Sequence, residues 1–128
     1  MAGAFTPLDG GRTVNMPVVS AAVVQGDPLK LGTAGVQLAD NGSTLFGVAM
    51  SAGAVGDVIA VWRGPGRCKA TADTTDFAIG DRVYMEASSK LGAGAATEKS
   101  AGQVVDANPA ASGTVIFDFD PFGTFAHA

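Results

Sequence analysis

Apolar and polar positions alternate along most of this chain in runs too short for helices, each run ending at Gly, Pro, Asn or Asp. Residues 12–19 (RTVNMPVV) alternate and carry Pro17, which fits an edge strand. Gly26-Asp27 turns the chain into a short strand over 28–31. In GVQLADNGSTLFGVAM two β-rich runs flank Asp40-Asn41-Gly42, which predicts a hairpin with a type I′ turn. Residues 57–63 (DVIAVWR) form the most hydrophobic strand, and Gly64-Pro65-Gly66 makes a turn or bulge before RCKAT. Residues 71–80 hold one helical turn at most. DRVYMEAS at 81–88 alternates Val83 and Met85 against Arg82, Tyr84 and Glu86. After the small-residue loop LGAGAATEKSAG, the runs AGQVVDA and TVIFDFD close the domain as strands. Short strands at this spacing predict an all-β fold, a small β-barrel or β-sandwich. The predicted layout is an extended N-terminal arm (1–11), one domain (12–119) and a C-terminal tail (120–128).

The chain also carries an internal repeat. The run from Gly26-Asp27 (GDPLKL) matches that from Gly80-Asp81 (GDRVYM). FGVAMSA followed by GDVIAV matches AGQVVDA followed by GTVIFD, at an offset of about 54–57 residues. Each half supplies a Gly-Asp turn into a strand, then two strands joined by an Ala-rich turn. Two such halves would close on one core.

Composition narrows the function classes. The length of 128 residues suits one domain. Hydrophobic residues make 47% of the chain but aromatics only 7%, so the apolar mass is Ala and Val; with 18 Gly this favours strands and tight turns. The net charge is −4 with 8 basic residues, which argues against nucleic acid as a partner. Arg63, Arg67 and Lys69 form a local basic cluster, read more simply as a solvated strand face. No run reaches the roughly 18 apolar residues of a membrane span, and the opening MAGAFTPLDGG lacks the basic and apolar regions of a signal peptide.

The chemistry-bearing residues do not assemble into a known kit. The one cysteine, Cys68, excludes an internal disulfide. The one histidine, His127, lies next to the C-terminal residue, a poor place for a catalytic base. No phosphate-binding loop or dinucleotide fingerprint is present, and zinc would lack ligands. Asp106, Asp118 and Asp120 could hold calcium, or serve a metal-assisted hydrolase, but a solubilising strand face accounts for them as well. Asp73 and Asp76 suit the end of a helical turn. Asp27, Asp57 and Asp81 each follow a glycine, where a carboxylate bonds nearby backbone N–H groups of a turn. The expectation is a non-enzyme without cofactor or metal.

Aromatic placement points instead to contact surfaces. Phe117, Phe119, Phe122 and Phe125 crowd the end of the chain. Pro121 stops the last strand, leaving Phe122 and Phe125 in the tail DPFGTFAHA, which either folds back on its own domain or anchors on a partner. Phe5 and Leu8 in the arm, Trp62 in an aliphatic strand, and Phe119 complete the interface candidates.

The ordered set GDPLKLGTAGVQLAD, LFGVAMSAGAVGDVIAVWRG, FAIGDRVYMEASSKL and AGQVVDANPAASGTVIFDF resembles the bacteriophage capsid decoration, or cement, proteins over about residues 12–119. Members are sometimes described as recombinase-like ATPases; the missing phosphate-binding loop speaks against that here. The resemblance implies a β-domain on the outer surface of an icosahedral phage head, made in the bacterial cytoplasm. It would bind the major capsid protein and itself, as a homotrimer. It brings no catalytic residues. Two departures stand out: the GPG at 64–66 and the longer tail after Phe119. The alternative is a β-barrel adhesive or carbohydrate-binding module using Trp62 and Tyr84.

Overall fold

The computed structural model describes residues 5–73, 77–86, 90–94, 100–107 and 113–119. Every regular element among them is a strand: β1 (Thr6–Pro7), β2 (Arg12–Pro17), β3 (Pro28–Leu31), β4 (Val36–Leu38), β5 (Gly47–Ala49), β6 (Val58–Gly64), β7 (Gly66–Thr71), β8 (Arg82–Glu86), β9 (Lys90–Gly92), β10 (Gly102–Ala107) and β11 (Thr114–Phe119). They form two antiparallel sheets, ordered β2-β6-β5-β3-β4 and β1-β7-β11-β10-β8-β9. Neither sheet is a closed barrel, and the fold is an all-β sandwich-like arrangement.

With β1 set aside, the second order is the first with every strand advanced by five. The repeat is therefore structural. Pro28 faces Val48 and Leu29 faces Gly47 in the first half; Arg82 faces Gln103 and Val83 faces Gly102 in the second. An isolated parallel bridge joins Val18 to Val36, and its counterpart joins Ala72 to Leu91. One sequence match shifts by a residue: the ladder sets Ile59, not Val58, in the place of Val115, because Val61 pairs Ala49 as Phe117 pairs Val104. Hydrogen-bond phase, not the likeness of the runs, fixes equivalence in a sheet.

The Gly-Asp turns explain why these strands start where they do. Gly26, Gly56 and Gly80 all have φ near +90° (89, 94 and 96°), the left-handed region that a type II turn requires at its third residue. In each turn the Asp carboxylate accepts the N–H three residues back at 2.9 Å: Val24 to Asp27, Ala54 to Asp57, Ala78 to Asp81. Each turn then docks by a reciprocal backbone pair. Gly26 donates to Ala49 (2.8 Å) and Ala49 donates back to Asp27 (2.9 Å); Gly56 and Val18 with Asp57, and Gly80 and Val104 with Asp81, do the same at 2.8 Å.

The predicted hairpin around Asn41 is corrected. β4 and β5 both pair with β3 and not with each other. The Ser43 N–H donates to the Asp40 carbonyl (3.0 Å), and φ is positive at Gly42 but not at Asn41, which excludes type I′. The GPG segment does break the strand, separating β6 from β7, and its Gly64-Pro65 peptide is cis. The helical turn considered for 71–80 lies partly outside the described residues.

Two apolar clusters fill the domain. One lies within the first half, around Val18, Leu29, Val36, Ala49, Ile59 and Val61. The other holds the counterparts of these residues in the second half (Ala72, Val83, Leu91, Val104, Val115 and Phe117) and also the joint between the halves.

Candidate interaction surface

The sequence-predicted interface residues separate into three groups. Phe5, Trp62 and Phe119 are interior, at 1%, 4% and 2% exposure. Their rings form an aromatic seam: Trp62 lies on Phe119 at 5.4 Å between centroids, and Phe117 meets Phe119 and Phe5 edge-on at 6.5 and 6.2 Å. In the isolated chain these three hold its own core together and are not exposed anchors. Leu8 is exposed. Phe122 and Phe125 lie outside the described residues, as do Asp76, Asp120 and His127.

The segment expected as an extended arm (1–11) lies against the body from Phe5 onward. Phe5 donates its N–H to Gly26 of the first half (3.0 Å), while Thr6 and Pro7 pair with Lys69 and Cys68 of the second. Leu8 donates to the Arg67 carbonyl at 2.9 Å. Asp9 accepts the Arg67 backbone N–H (2.9 Å) and two guanidinium N–H groups (2.8 and 2.7 Å). Those side-chain bonds first, and the backbone bond next, hold the Asp9 carboxyl below its ordinary range. Gly10 accepts the Trp62 indole N–H at 3.1 Å. The arm is thus a strap across both halves. Sequence reasoning missed it because partners such as Trp62 for Gly10 and Arg67 for Asp9 lie 52 and 58 residues away.

The basic cluster does not form one patch. The Arg63 guanidinium lies 3.8 Å over the Phe46 ring, whereas Arg67 is tied to Asp9. Burial, then the nearby charge of Arg12, pulls the pKa of Arg63 down. Arg63 and Phe46 belong to a dent on the first half that Lys30, Leu31, Thr44 and Leu45 also line. Lys30 reaches Asp40 across this edge at 3.4 Å. Exposed apolar residues include Leu31 in the dent, Leu38, Val58, and Val55 and Ile79 at the second position of two Gly-Asp turns.

No catalytic arrangement emerges from the described residues. Cys68 is buried, and burial pushes its thiol up to about 12, far from a thiolate nucleophile at neutral pH. Among the described residues no group of three His, Cys, Asp or Glu side chains converges on a metal position. Asp27, Asp57 and Asp81 serve their turns. No helix of the described residues is long and apolar enough to cross a membrane.

Among the described residues, Leu8 on the strap and Leu31 and Leu38 on the first half are the leucines that the doubled β-body exposes. No curated protein matches the chain. A family model described as phage cement protein matches residues 8–118, from the strap through both halves to the penultimate residue of β11. The chain therefore belongs to the phage cement protein family, structural components of the phage capsid.

Proposed function

We propose that this protein binds the outer surface of an assembled phage head and cements neighbouring major capsid proteins, acting as a homotrimer. The observation that carries this reading is the family match across residues 8–118, which spans both halves of the repeat. The architecture supports it. A stiff body with a shared core can bridge two neighbours without deforming. Three chains acting together gain avidity from individually small contacts, and a ligand that binds only the assembled shell stabilises it by mass action. Leu8 on the strap, and Phe122 and Phe125 in the tail, are the side chains proposed to grip the shell. Phe5, Trp62 and Phe119 act indirectly, by holding the frame.

Co-sedimentation with expanded empty heads tests the reading. The full chain should pellet with them, and a chain lacking residues 120–128 should stay folded but occupy fewer sites. Unchanged occupancy would remove the tail from the anchor; a full chain that never pellets would remove the cement reading. The carbohydrate alternative loses its candidates, since Trp62 and Tyr84 are both interior.

A further inference from the structure

The two halves of the chain meet through unlike faces. The first half presents Ala39, Leu45, Val48 and Trp62; the second answers with Met85 and Phe119. Trp62 lies on Phe119, and Gly42 donates its N–H to the Met85 carbonyl at 3.0 Å. A two-fold joint would repeat these contacts with the roles exchanged. It does not. Leu31, the counterpart of Met85, is 55% exposed where Met85 is 1% exposed. Asp118, the counterpart of Trp62, is exposed too. The joint is head-to-tail.

Among the described residues, a head-to-tail joint leaves one face of each kind uncovered. The first half keeps a receiving face, the dent containing Leu31, Phe46 and Arg63. In the second half the matching places, Met85, Ala101 and Phe119, are buried. The second half keeps a presenting face, where Gln103 and Asp118 stand in the places of Val48 and Trp62.

We propose that these two free faces bind each other between copies of the chain, so that the presenting face of one copy seats in the Leu31 dent of the next. The inference rests on the self-association in the proposed function and names its surface. Charge favours it: Lys30, which also reaches Asp40, and Arg63, which lies over Phe46, line the dent, and exposed Asp118, beside Arg67 in the ladder, marks the face that enters it. The contact that joins Trp62 to Phe119 within a chain becomes Asp118 to Arg63 between chains. Heterologous contacts of this kind form a ring when the rotation closes. Three chains then make a ring of six similar halves, with alternating apolar and polar joints. The polar joints suit partners that exist apart before they meet.

The test uses the full chain, free and bound to expanded heads. Light scattering should give the free wild type three times the single-chain mass, and Leu31→Asp should reduce it to one, with circular dichroism unchanged. The pair Arg63→Cys with Asp118→Cys should yield covalent two- and three-chain species under mild oxidation, in solution and on heads. Either substitution alone should yield none, because a head-to-tail contact never brings like positions together. A trimer that survives Leu31→Asp, or a trimer whose cysteine pair stays unlinked, would overturn this interface and leave self-association standing. Single-cysteine variants that cross-link would show a two-fold contact instead. A wild type that stays single both free and on heads would remove self-association itself.

Discussion

Truncating Phe119 should destabilise the frame, not merely blunt a surface. Its ring is 2% exposed, lies on Trp62 at 5.4 Å, and meets Phe117 edge-on at 6.5 Å. Phe119→Ala removes an aromatic side chain from the joint between halves and leaves a cavity against Trp62. Buried Phe→Ala changes cost about 3–5 kcal/mol, of which the aromatic pairs supply about 0.5–1.5 kcal/mol each. Against a total stability of about 5–15 kcal/mol, this is a large share. For a domain of this length the midpoint should fall by roughly 10–20 °C. Trp62 is the single tryptophan and sits at the joint, so its fluorescence reports directly on the damaged region. Urea unfolding followed by Trp62 emission and by far-ultraviolet circular dichroism should give coincident transitions, because both halves share one cluster. A loss under about 1 kcal/mol, or wild-type transitions that separate between the two probes, would refute the shared-core argument. A Phe119 that served only to dock would leave the midpoint where it was and lower head occupancy alone.

Removing a turn carboxylate by Asp57→Ala should cost about 0.5–2 kcal/mol, as for loss of a helix cap, and Asp57→Asn should recover much of it; equal denaturation midpoints for all three proteins would count against the turn role. Cys68 should resist a thiol reagent in the native protein and react only on unfolding, since it is buried with its thiol pushed up to about 12; prompt native labelling would contradict that. Acid should loosen the strap. The Asp9 carboxyl is held below its unfolded value, so its contribution is complete above the ordinary carboxylate range and is lost as pH falls through the folded value. Hydrogen-exchange protection at Thr6 and Leu8, taken relative to the intrinsic rate at each pH, should therefore fall on acidification in the wild type, while Asp9→Asn shows the lower protection throughout; identical protection-against-pH profiles would exclude the Asp9–Arg67 pair as the cause.

Much of the fold was legible locally. Gly-Asp pairs mark strand starts because positive φ and a short acceptor side chain are properties of those residues wherever they stand. The family resemblance and the repeat were legible too, since both depend on the order of such local signals. The order β5-β3-β4 was not: a turn between two β-rich runs does not specify which strand each run pairs with. The strap was hidden for the same reason, its bonds from Asp9 and Gly10 joining residues more than 50 positions apart.

What the sequence determined by itself was the all-β class, the Gly-Asp turns and the doubling. What only the tertiary structure decided was which side chains the surface contains. Alternation tells which residues share a sheet face, but not whether another half covers it. Trp62 and Asp118 hold equivalent places, as do Met85 and Leu31; one of each pair is covered because the halves meet head-to-tail. Burial is a property of that packing, so the aromatic candidates Phe5, Trp62 and Phe119 became core, and Leu31, unremarked in the sequence, became the exposed half of an unfinished joint.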